Sequence, residues 1–131
     1  MNSQDMISLA RSEGFSAAAI ADMRAIVFDS GFRKYCEENL CGRYGANYSC
    51  PPDCGTPDAM KARLSAYKSA LVLQTKWDIT DYRDMPAIKA AKQSHNQAML
   101  RVIARLKQEG IRGKMAGASC CTLCERCGEP R

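Results

Sequence analysis

Cys36-Glu37-Glu38-Asn39-Leu40-Cys41-Gly42-Arg43-Tyr44-Gly45-Ala46-Asn47-Tyr48-Ser49-Cys50-Pro51-Pro52-Asp53-Cys54-Gly55-Thr56-Pro57 is the stretch on which the reading of this chain turns. It carries four cysteines among closely spaced glycines and prolines, and few apolar side chains from which to build a core. Ordering such a segment costs backbone entropy with little burial to offset it, unless something cross-links it. A metal does this well, because its binding free energy becomes folding free energy. A metal is thus favoured before any motif is compared. Proline directly after Cys50 has no amide hydrogen and stiffens the backbone, which turns the chain away from a centre held by that sulfur. The spacings Cys36-x4-Cys41 and Cys50-x3-Cys54 suit an iron–sulfur cluster or zinc.

The other four cysteines lie in a second window, Ser119-Cys120-Cys121-Thr122-Leu123-Cys124-Glu125-Arg126-Cys127. Cys121, Cys124 and Cys127 have the Cys-x2-Cys-x2-Cys spacing with which bacterial ferredoxins wrap a four-iron cluster. The fourth cysteine of that motif would stand at the position of Arg131, so the remaining ligand is expected from Cys36, Cys41, Cys50 or Cys54. Cys120 is a further option, although adjacent cysteines rarely hold one ion comfortably. Two structural four-thiolate zinc sites are the competing account. A disulfide framework ranks below both, since eight cysteines in 131 residues is less dense than small secreted scaffolds. A thioredoxin-like pair at Cys121 and Cys124 would not need the further thiols.

Working outward, the length suits one domain, residues 1–131, with a real core. Apolar content of 46% and charged content of 25% fit a globular protein rather than a disordered one. The first residues carry no basic charge and no long apolar run follows. No signal peptide and no membrane helix are therefore expected, and the expected compartment is the cytoplasm, where thiols stay reduced. The formal charge of +5 overstates basicity, because metal-bound thiolates are negative. The lysines and arginines are also dispersed, without aromatic interleaving, so nucleic-acid binding is a weak expectation.

The pattern predicts a helix from Ser3 to Glu13, capped by Ser3 and stopped at Gly14. A buried strand is expected at Phe15–Ile20, followed by Ala21-Asp22, with 24–28 extending it or starting a new element. Thr56-Pro57 opens a helix whose Met60, Leu64 and Tyr67 share a face. Ser69–Lys76 is the clearest strand. A long helix runs from the cap Asp84 and Pro86 to Gly110, with Ile88, Ala91, His95, Met99, Val102 and Leu106 as its apolar stripe. Arg112–Ala118 is expected as a last short strand. The order predicts an α+β fold: a mixed α/β sandwich with a small sheet of three to four strands packed by helices, and two metal-binding cysteine loops.

His95, the single histidine, is expected as a satisfied core or groove residue rather than a ligand. Met60, Met99 and Met115 are expected as packing. Tyr44, Tyr48 and Trp77 either wall off the metal centre or fill core. No phosphate loop, nucleophile elbow or paired catalytic carboxylates are recognisable, so an enzyme acting alone is not expected.

The run Cys36-x4-Cys41-Gly42-x-Tyr44-Gly45-x4-Cys50-Pro51-Pro52, with the later Cys121-x2-Cys124-x2-Cys127, resembles an uncharacterised prokaryotic family of small cysteine-rich predicted metal-binding proteins. The resemblance runs from about Ile20 to Cys127. It implies metal binding, as an iron–sulfur centre of the 4Fe-4S type or alternatively zinc, at Cys36, Cys41, Cys50, Cys121, Cys124 and Cys127. Cys54 and Cys120 stand outside the motifs that carry the resemblance and remain further candidate metal positions. Members continue with a proline-cysteine-arginine segment that is not found before Arg131. The chain is thus expected to be a short variant or a truncated sequence, which in the second case would lack a ligand. Three functions are expected in consequence: electron transfer or an accessory redox subunit beside a redox partner protein, a structural zinc module for protein or nucleic-acid contact, or metal handling.

Overall fold

A computed structural model of the chain describes residues 1–117. It divides into two compact units: one formed by Met1–Asp22 with residues 69–117, the other by Met23–Lys68.

In the first unit, helix α1 spans Ser3–Ser12. Its cap is Asn2 rather than the expected Ser3. The Asn2 side chain accepts from the Asp5 amide at 2.9 Å, and the Asp5 carboxylate accepts from the Asn2 amide at 3.0 Å. This reciprocal capping box satisfies two end donors at once, which a serine one residue later could not do with Asp5. Gly14 turns the chain at φ 104°, a left-handed conformation that favours glycine.

Strand β1, Ala17–Asp22, then pairs antiparallel with β2, Ser69–Gln74, in register from Ala17↔Gln74 to Asp22↔Ser69. Residues 23–68 all lie in the connection between these two strands. Helix α4, Met85–Gln108, is capped by the Asp84 carboxylate, which accepts from the Ala87 amide at 3.2 Å, and Gly110 follows its end at φ 76°. The core consists of Ala10, Phe15, Ala98 and Val102, with Leu9, Ala18, Leu71, Leu73, Met99 and Leu106 packed against it. Ala18 faces Leu73 across the ladder, so alternate strand positions supply one apolar face. A two-stranded sheet is marginal alone, and here its stability rests on the helices that cover this face. Arg101 Nε donates to Glu13 at 2.8 Å, an exposed link from α4 to the end of α1 worth at most about 1 kcal/mol.

The α+β class holds, but the sheet has two strands among the described residues, fewer than the three to four expected. Residues 24–28 do not extend β1, since Met23–Ala25 forms a single 3-10 turn. Residues 112–117 form no strand. Gly113 and Gly117 supply no side chain to pack and weaken any ladder. Gly117 also lies close to Asn96, whose Oδ1 a Cβ at that position would meet at 3.3 Å. Asn96 itself is a buried polar residue on α4 that the stripe pattern does not reveal.

The second unit contains the short helix α2, Arg33–Glu37, and helix α3, Pro57–Ser65. No residue from 23 to 68 is buried, and Val27 and Leu40 are 89% and 86% exposed. The described residues of this unit thus form no closed core like that of the first, and apolar side chains such as Phe28, Met60 and Leu64 are only half-buried.

Candidate metal centre

The first cysteine window is held by local hydrogen bonds. Asn39 takes a left-handed conformation at φ 56°, and its side chain accepts from the Tyr44 amide at 3.0 Å. Gly42 and Gly45 also have positive φ, and the Gly45 amide donates to the Pro51 carbonyl at 2.7 Å. This bond folds the Tyr-Gly segment back onto the Cys-Pro-Pro segment. The Asn47 side chain accepts from both the amide and the hydroxyl of Ser49, just ahead of Cys50. The Cys54 amide donates to the Cys50 carbonyl at 3.1 Å, so these two cysteines stand one turn apart.

Helix α3 then anchors the chain beyond Cys54. The Thr56 hydroxyl accepts from the Ala59 amide at 3.1 Å, as the cap-and-proline signature predicts. From the last turn, Arg63 reaches back to the Cys54 carbonyl. Met60 faces Cys54, with its Sδ 3.8 Å from the Cys54 Sγ. Arg33, at the start of α2, places Nη2 3.2 Å from the Met60 Sδ and 3.8 Å from the Cys54 Sγ. The sequence reading takes Met60 as packing and gives no sign of Arg33.

Cys36 sits on α2 rather than in the expected loop, and Cys36 and Cys41 are exposed while Cys50 and Cys54 are half-buried. All four are free thiols. Cys36, Cys54 and Pro51 line one cavity of about 500 Å³, together with Phe28, Phe32 and Met60. Cys41 and Cys50 do not line it. Among the described residues no three His, Cys, Asp or Glu side chains are grouped closely enough to hold a metal ion. Cys120, Cys121, Cys124 and Cys127 lie outside the described residues.

His95 stands in the other unit as a groove residue. Its Nδ1 is 2.7 Å from the Thr75 hydroxyl, and its ring meets Phe15 edge-on with centroids 5.3 Å apart. Thr75 in turn accepts from the Trp77 indole at 2.8 Å. Trp77 is thus tied to the histidine groove of the α/β unit.

The model of one protein family, Predicted metal-binding protein (DUF2284), matches residues 19–131. The chain belongs to this family. The match includes all eight cysteines and covers both windows. No curated protein and no solved structure matches the chain. Among the described residues, no helix is long and apolar enough to cross a membrane. Family membership makes metal binding the function to explain, while the family's own function is unknown.

Proposed function

We propose that the protein carries an iron–sulfur centre of the 4Fe-4S type and serves electron transfer, as a carrier or as an accessory subunit beside a redox partner protein. One cluster takes four thiolates, and in this reading they are drawn from Cys36, Cys41, Cys50, Cys121, Cys124 and Cys127, with the compartment the reducing cytoplasm. The observation that carries it is the cysteine unit itself: four free thiols in a segment without one buried side chain. A donor set made only of thiols fits a cluster or zinc, whereas calcium and magnesium take oxygen. The tight Cys121, Cys124, Cys127 spacing favours the cluster. When bound, a cluster supplies one-electron redox chemistry. The chain's own contribution is the folded turn from Tyr44 to Cys54, whose hydrogen bonds set the backbone path on either side of Cys50.

The test is purification without oxygen, followed by iron and sulfide analysis, visible absorbance and electron paramagnetic resonance of the reduced protein. The expected result is a brown protein with a signal in the reduced state. A colourless, iron-free product with stoichiometric zinc would replace this reading by a structural zinc module.

A further inference from the structure

Cys54 is the one cysteine of the first window outside the motif that carries the family resemblance, and its surroundings differ from those of the others. Its sulfur, the Met60 thioether and the Arg33 Nη2 form a nearly regular triangle with sides of 3.8, 3.2 and 3.8 Å. A guanidinium that contacts both sulfurs marks the point to which their lone pairs converge. Two sulfurs each about 2.3 Å from one metal, at a roughly tetrahedral angle, stand about 3.8 Å apart. The observed Cys54–Met60 separation is 3.8 Å. Ordinary sulfur–sulfur packing gives nearly the same distance, so it is the convergence on one cation, within a cavity, that distinguishes this pair.

We propose that Cys54 and Met60 form a thiolate–thioether site for a soft monovalent cation of the Cu(I) class. Thioether sulfur is a poor ligand for hard cations and a good one for Cu(I), which selects Cys and Met donors. The bent geometry leaves one further coordination position open. A cation at this point requires the Arg33 guanidinium to leave it. The site does not require the iron–sulfur reading, and its test reads neither iron nor redox activity.

Silver(I), a redox-stable stand-in for Cu(I), is titrated under nitrogen into the full chain labelled with 13C at the methionine methyl groups. Met60→Leu identifies the Met60 resonance. The expected result is a saturable shift of that resonance while Met115, in the other unit, stays in place. Cys54→Ser is expected to abolish the shift, and Met60→Leu to lower silver uptake measurably without altering the remaining methyl signals. A Met60 methyl that does not move when the protein is saturated with silver overturns the proposal. So does a shift that persists in Cys54→Ser.

Discussion

The α/β unit closes a core around Phe15 and Val102, 3% and 1% exposed, whereas the cysteine unit from residue 23 to 68 buries nothing to that degree. Both arise from one chain, and the second is inserted between the two paired strands of the first. In the first unit, burying a large apolar side chain contributes about 1.5–3 kcal/mol. The described residues of the second include no fully buried side chain. Its glycines and Asn39 in left-handed conformations, and its side-chain-to-backbone bonds, define a path for the chain without supplying the energy to hold it. In the proposed reading, the metal stabilises the unit in which burial is missing.

The largest expected effect comes from that contrast. Removing the metal with a chelator under nitrogen should abolish amide-exchange protection in residues 23–68 and leave it in β1, β2 and α4. Structural metal sites contribute on the order of 10 kcal/mol, so the change should be complete rather than graded. Protection lost equally in both units would break the comparison.

Next in size, Phe15→Ala should cost about 3–5 kcal/mol in the α/β unit, seen as a lower urea midpoint for the far-ultraviolet signal of its helices. The substitution also removes the edge contact with His95. A cost below about 1 kcal/mol would show that Phe15 is not at the centre of the core.

The smallest effect sharpens rather than breaks the contrast. Thr56→Ala removes the cap of α3 and should cost about 1 kcal/mol, read as a metal affinity weaker by about fivefold in competition with a chelator, because binding and folding of this unit are coupled. With metal bound, the same variant should melt within about a degree or two of the parent, because the metal dominates that unit. A large loss in the loaded protein would mean that α3, not the metal, holds the segment.

Features that depend on neighbours three or four residues away are legible in the sequence. The caps at Thr56 and Asp84, the turns at Gly14 and Gly110, and the apolar stripe of α4 are of this kind. The cap of α1 lies one position earlier than the pattern indicates, since Ser3 and Asn2 are both good caps and only the bond to Asp5 separates them. The strand expected at 112–118 rests on a short apolar pattern and requires a pairing partner that local pattern cannot supply. Of the candidate ligands, Cys36, Cys41, Cys50 and Cys54 fall together in one unit, as their spacing indicates. Cys36 on a helix and the Arg33–Cys54–Met60 triangle are not readable from spacing.

By itself, then, the sequence determined the family and the segments of α1, α3, α4, β1 and β2, because these depend on side-chain type and on bonds within one turn. Tertiary structure alone decided that the strands pair across the whole cysteine unit, that Met60 turns its sulfur to Cys54, and that His95 is held by Thr75. Each of these depends on groups that are adjacent only after the chain has folded back, and the free energy of that return is not encoded in any local window.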